Sequence, residues 1–143
     1  MEVKFYESTK DTLLKFAIII SRSKGKWVFC KHKDRDTYEV PGGHRVNGET
    51  ILAAAKRELT AETGAVDFTI QPICVYSVTG KTRVNESGEE TFGMLYYADI
   101  QTFDKELHSE MEQVVLLDEL PAKWTYPLIQ PLLIQEFQRR TQA

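Results

Sequence analysis

The feature that most constrains this chain is a change of hydrophobic period at Thr50. From there the apolar residues fall at Ile51, Ala55 and Leu59, flanked by Leu52, an i, i+4, i+8 stripe that marks one face of a helix. Gly64 stands where a helix ends on a left-handed residue, so the spacing predicts a helix of about four turns. On either side the pattern is strand-like. Thr12 to Ser21 and Lys26 to Lys33 read as two strands joined by the turn Arg22-Ser-Lys-Gly25, and Tyr38-Glu-Val40 is a short extended piece. Phe68 to Val78, Phe92 to Ile100 and Val114 to Leu117 read as further strands, with a polar loop from Gly80 to Glu90 between the first two. Pro127 to Arg140 predicts a second helix, with Pro131 tolerated in its first turn and basic residues at its end. Runs of strands with two asymmetrically placed helices predict a mixed β-sheet covered by helices, an α/β or α+β sandwich.

A chain of 143 residues with no repeat and no Pro/Gly/Ser-rich linker is expected to form one domain over 1–143, large enough to hold a core without disulfides. Cys30 and Cys74 sit among apolar neighbours, outside any CxxC pair, and read as reduced core thiols. The longest apolar run, Phe16-Ala-Ile-Ile-Ile20, is far short of the roughly 18 residues that span a bilayer. Met1-Glu-Val-Lys-Phe-Tyr-Glu7 lacks the pattern of a signal peptide, so the expected location is cytoplasmic. The 18 basic and 21 acidic residues leave no field that would hold a polyanion, which argues against broad nucleic-acid binding.

Chemistry concentrates where the extended piece meets the helix. Pro41-Gly42-Gly43 allows the backbone a close approach to a ligand. Glu58 and Glu62 are i, i+4 on one helix face, with Cβ atoms about 5–6 Å apart. Two carboxylates so close repel, and keeping both ionised needs a cation; hard oxygens select Mg²⁺ or Mn²⁺. A metal bridging protein carboxylates and diphosphate oxygens neutralises charge and helps generate a nucleophilic water. His32 and His44 pair with no His or Cys at ligand spacing, and His108 reads as a loop residue. Trp27, Tyr96, Tyr97 and Trp124 read as core or rim rather than as base-stacking platforms.

Gly43, Glu49, Arg57, Glu58, Leu59, Glu62 and Gly64 stand in the spacing G-x5-E-x7-R-E-U-x-x-E-x-G, where U is aliphatic. This resembles the box of the Nudix (MutT-like) hydrolases, matching seven of nine positions; Ala61 and Ala65 stand where the full box has a second glutamate and an aliphatic residue. The resemblance implies an α/β/α sandwich with the mixed sheet between helices. It implies a metal-dependent pyrophosphohydrolase cleaving a nucleoside diphosphate linked to another group, with nucleoside triphosphates of the nucleotide pool as the expected substrates. It implies that the Gly42 carbonyl is a metal ligand together with Glu58 and Glu62, that Arg57 orients a box glutamate, and that Glu49 is a partner in the loop-helix scaffold. A further acid from late in the fold commonly completes the site in this family, and Glu110 and Glu112 are the candidates. Lys31, Lys33 and Arg35 are candidates for the phosphate tail, though Asp34 and Asp36 among them fit a solvated cluster equally well. Ala61 leaves open a nucleotide-binding module with weakened catalysis, and a nucleotide-sugar or dinucleotide diphosphatase is the enzyme alternative. The oligomeric state stays open, a homodimer included.

Overall fold

The structure is a computed structural model that describes residues 1–82, 85–104 and 111–141. Seven strands, β1 (Glu2–Tyr6), β2 (Leu14–Ser23), β3 (Lys26–His32), β4 (Gly42–His44), β5 (Ala65–Thr79), β6 (Thr91–Phe103) and β7 (Met111–Leu117), form one sheet. Two helices flank it, α1 (Ile51–Thr63) and α2 (Gln130–Thr141). The strand order is β1-β5-β6-β2-β3-β7, with β4 on β2. Only the β2–β6 pair is parallel, so the sheet is mixed, as the strand pattern predicts.

Alternation along β2 divides its side chains between two cores. Ala17 and Ile19 pack with Val28, Tyr96, Ala55 and Leu59 under α1. Ile20 packs with Phe29, Leu95, Leu133, Ile134 and Phe137 under α2. Leu59, Leu133 and Ile134 are completely or almost completely buried, each contributing about 1.5–3 kcal/mol of transfer free energy. Cys30 and Cys74 are free and buried in these layers.

The helix α1 is closed at both ends by local chemistry. The Thr50 hydroxyl accepts the Ala53 N–H at 3.1 Å, and Gly64 takes φ 75° with its own N–H on the Thr60 carbonyl. Such a cap contributes about 1 kcal/mol.

What positions the site is a fork in the sheet beside β2. The β2–β3 hairpin pairs only Ser21–Ser23 with Lys26–Val28; beyond it this edge of β3 turns to Glu39, which exchanges two backbone hydrogen bonds with Cys30, while the other edge of β3 pairs with β7. The vacated edge of β2 is taken by β4, with Phe16, Ala17 and Ile18 opposite His44, Gly43 and Gly42. Between the two regions Ile19 donates its N–H to the Pro41 carbonyl at 2.9 Å, so the ladder continues across the exchange.

Two expectations from the sequence need correction, and one strand is new to it. The second helix starts at Gln130 rather than at Pro127, because the N–H groups of Ile129 and Gln130 both donate to the Tyr126 carbonyl and close a turn over residues 127–129 first. Pro131 then takes an opening helical position, where its missing N–H costs nothing. The strands β5 and β6 run several residues beyond their apolar cores, since bulges near Asp67 and Pro72 let a long antiparallel ribbon stay paired from Ala65–Phe103 to Val78–Thr91. Finally, Glu2–Tyr6 is an edge strand, too short and too charged to announce itself, that lays Val3 and Phe5 on the α2-side core. Among the described residues no helix is long and apolar enough to cross a membrane.

Candidate active site

Both glycines of β4 are required by close neighbours. A Cβ on Gly42 would lie 2.5 Å from the Ala17 carbonyl oxygen, a clash with the backbone of the adjoining strand. A Cβ on Gly43 would lie 2.5 Å from the carboxylate carbon of Glu58, so that carboxylate rests directly against the loop backbone. One helical turn later, Glu62 accepts the Gly42 N–H on Oε1 at 2.7 Å. The pair spaced i, i+4 on α1 therefore meets the two consecutive glycines of β4.

Arg57 holds this arrangement from the side. Its Nε and Nη2 donate to the two carboxylate oxygens of Glu49 at 2.7 and 2.9 Å, Nη2 also reaches the His44 carbonyl at 2.9 Å, and Nη1 donates to Glu58 Oε1 at 2.5 Å. Glu49 in turn accepts the Val46 N–H at 3.0 Å. One planar fork thus ties the loop after β4 to the helix and orients Glu58. The Arg57 hydrogen bonds hold the Glu49 carboxyl down at about 2, with the Val46 N–H adding to the effect.

A cleft of about 340 Å³ opens over this junction. Around the junction it is lined by His32, Glu39, Gly42, Gly43, His44 and Glu62. The rest of the lining mixes apolar side chains, Phe16, Ile18, Val40, Val78, Ile129 and Leu133, with Tyr76, Thr82, Asn85, Thr91, Tyr126 and Gln130. Burial pushes the Glu62 carboxyl up to about 8 against the opposing Gly42 N–H, and the nearby charges of Glu58 and Glu39 add to the rise. The electrostatic problem is a crowd of carboxylates short of positive charge, which a bound cation would relieve.

The fit to a metal follows from the donors. Glu58, Glu62 and the Gly42–Gly43 backbone offer only hard oxygen atoms, with no side chain on either glycine to obstruct them. Among the described residues no three His, Cys, Asp or Glu side chains gather closely enough to hold an ion alone. That combination suits Mg²⁺, which takes one or two carboxylates and completes its shell with water and substrate phosphate.

The remaining candidates divide. Leu59 is core and Gly64 the helix terminator. Ala61 is exposed on α1. Lys31, Lys33 and Arg35 do not line the cleft: Lys31 lies where the pairing of β3 with β7 becomes irregular, and Lys33 and Arg35 lie past the strand end. Glu110 lies outside the described residues; Glu112 is described only as backbone in β7. The cleft also gathers residues that no motif marked. Glu39, 5% exposed, has Oε1 3.9 Å from His32 Nε2, and Tyr76 and Gln130 come from β5 and α2. For Glu39 the one available cue was an acid three residues ahead of Gly42-Gly43.

Known proteins resemble this chain in sequence and in fold. A Bacillus subtilis protein named "Putative 8-oxo-dGTP diphosphatase YtkD" is 36% identical over 104 residues, 72% of this chain. The match spans 61% of that relative's length, so the chain covers under two thirds of it. The crystal structure of a mutant of the Bacillus subtilis pyrophosphohydrolase BsRppH superposes with a TM-score of 0.77 at 26% identity, covering 97% of this chain and 91% of that one. A NUDIX hydrolase from Nitrosomonas europaea shares the fold at a TM-score of 0.70 and 20% identity, over 88% and 89% of the two chains. The NUDIX domain family model matches residues 12–136, the whole span from β2 through the fork and the box helix into α2, and this chain belongs to that family.

Proposed function

We propose that the chain is a cytoplasmic, divalent-metal-dependent pyrophosphohydrolase that cleaves a nucleoside triphosphate or a related nucleoside diphosphate derivative. The observation that carries this reading is the junction itself: the carboxylates of Glu58 and Glu62 meet the Gly42–Gly43 backbone beside a cleft lined by both polar and apolar side chains. Such a cleft suits a molecule with an anionic tail and a flat, poorly hydrated head. The name of the Bacillus subtilis relative, an 8-oxo-dGTP diphosphatase, agrees with that shape of substrate.

In this reading the diphosphate lies over Gly42 and Gly43, where the lack of side chains permits contact with the backbone. Glu58, Glu62 and the Gly42 carbonyl would hold Mg²⁺ or Mn²⁺. When bound, such an ion neutralises diphosphate charge and lowers the pKa of a coordinated water. Arg57 is a positioning residue, since its donors are taken by Glu49, Glu58 and the His44 carbonyl. Glu39 and His32 close the polar wall beside Glu62. A site with this few carboxylates leaves its metal weakly held, and activity is expected to need millimolar rather than trace cation.

The test is release of phosphate or pyrophosphate across a panel of nucleotides, with and without Mg²⁺ or Mn²⁺, using Glu62→Gln as the blank. Metal-dependent turnover that the blank lacks supports the proposal. Absence of turnover on every nucleotide, with the protein folded, overturns it.

A further inference from the structure

The loop that brings Glu49 to the helix has little packing to hold it. Residues 44–50 contain no buried side chain, and the one aliphatic residue among them, Val46, is 53% exposed. Hydrogen bonds must therefore fix this loop, since a segment with few buried apolar contacts opens locally at little cost. Part of the restraint is internal. The Glu49 N–H donates to the Val46 carbonyl at 3.2 Å, and the Glu49 carboxylate accepts the Val46 N–H. Those bonds shape the turn without anchoring it to the sheet.

The anchor is Arg45, which no position of the box motif marks. Its backbone N–H carries the β4–β2 ladder on to the Lys15 carbonyl at 2.8 Å. Its guanidinium, on a side chain 20% exposed, then reaches in three directions: Nε donates to the Glu49 carbonyl at 2.8 Å, Nη1 to the carbonyls of Asp11 and Leu14 at 2.9 and 3.4 Å, and Nη2 to the Asp11 carboxylate at 2.7 Å. Asp11 lies just ahead of β2 and Leu14 opens that strand, the one on which β4 is paired. Arg45 thus ties the loop to the sheet, as Arg57 ties the helix to the loop. The two arginines hold Glu49 from either end, one at its carbonyl and one at its carboxylate.

Resting on the reading of the junction as a metal-dependent hydrolytic site, we infer that Arg45 is a positioning residue for that site: clamped to Asp11 and Leu14, it fixes Glu49, through which Arg57 orients Glu58. Arg45 does not line the cleft, so its influence on the reacting atoms passes only along this series. A planar fork can serve a carboxylate and three carbonyls in fixed directions from one position, whereas a lysine ammonium would keep the charge without that geometry. If Glu49 shifts, Arg57 must give up either its bonds to Glu49 or its bond to Glu58. Losing a group that orients a ligand commonly costs about 10–100-fold in metal affinity or activity.

The experiment compares the wild type, Arg45→Met, Arg57→Ala and the double variant, each checked for folding by thermal melting. Mn²⁺ affinity is read by water-proton relaxation without nucleotide, and kcat and KM on whichever nucleotide the wild type turns over. Methionine keeps an unbranched stem and removes every donor. Arg45→Met should weaken Mn²⁺ binding and lower kcat by about tenfold each. KM at saturating Mn²⁺ should stay within about twofold, a split that lost stability alone does not produce. In the Arg57→Ala background the same change should alter Mn²⁺ affinity by less than about twofold, because the link to Glu58 is already cut. Should Arg45→Met fail to fold, Arg45→Lys decides in its place, with an expected loss of Mn²⁺ affinity of about threefold. A folded variant at position 45 with wild-type Mn²⁺ affinity overturns the inference, as does a loss equally large with and without Arg57. A wild type that binds Mn²⁺ but hydrolyses no nucleotide sinks the proposed activity alone, since the Mn²⁺ comparison still decides for Arg45; a wild type that binds no Mn²⁺ overturns both.

Discussion

Glu62 and Gly42, twenty residues apart in sequence, are joined by a 2.7 Å hydrogen bond from the glycine N–H to the glutamate carboxylate. The bond fixes the last turn of α1 against β4 and leaves the second carboxylate oxygen of Glu62 beside the cleft. Helix and loop are therefore tied together beside the cleft.

Removing either carboxylate of the pair should abolish most turnover. Glu58→Gln and Glu62→Gln are expected to lower kcat by at least a hundredfold, about 2.7 kcal/mol of transition-state stabilisation. Glutamine at position 62 retains an oxygen for the Gly42 N–H, so the thermal midpoint should change little. Steady-state assays in saturating Mg²⁺ measure the first effect, and a melting curve the second.

Position 61 offers a gain-of-function test. Ala61 is exposed and lies three residues after Glu58, near the acidic face of α1. Ala61→Glu should add a carboxylate and lower the Mg²⁺ concentration for half-maximal activity by about tenfold, the size of effect that a supporting ligand commonly has. Titrating activity with Mg²⁺ at fixed substrate reads this directly. An unchanged midpoint and rate would mean that the new side chain points away.

Gly43→Ala probes the tight approach of Glu58 to β4. The added methyl would lie 2.5 Å from the Glu58 carboxylate carbon, so the carboxylate or the strand must shift. Overpacking of this kind costs about 1–3 kcal/mol, which denaturant unfolding would show. Displacing Glu58 also strains its 2.5 Å bond to Arg57, and kcat should fall more than stability alone explains. Glycine at this position does two tasks, and the variant separates them.

Beside the share of Glu49, an acid-dependent loss of stability should originate at Glu136 on α2. Glu136 accepts hydrogen bonds from Arg139 and Arg140 on the same helix, and these hold its carboxyl down at about 2. A folded-state value below the unfolded one stabilises the fold above the unfolded value of 4.5; the contribution fades as pH falls from 4.5 toward 2. Glu136→Gln should therefore lower stability at pH 7 by about 1 kcal/mol or less and remove this share of the acid dependence. Thermal midpoints of the two proteins, compared across pH 7 to 2, should converge at the acid end.

The sequence by itself determined the junction between the glycine pair and the helix. Its constraints are local: 3.6 residues per turn places Glu58 and Glu62 on one face, Thr50 and Gly64 bound the helix, and Gly42 and Gly43 stand just ahead of it. The alternating apolar runs likewise announced a mixed sheet with helices, because periodicity records which face of each element is buried. Only the tertiary structure decided what surrounds that junction. Glu39, Tyr76 and Gln130 come from the segment before β4, from β5 and from α2, and they meet because β3 leaves β2 and opens a gap that α2 covers. No spacing encodes that meeting, since it depends on strand pairing between distant segments. The basic residues around His32 lie off the cleft lining for a related reason: charge composition has no phase, so it does not say which residues of β3 and the turn after it face the cleft.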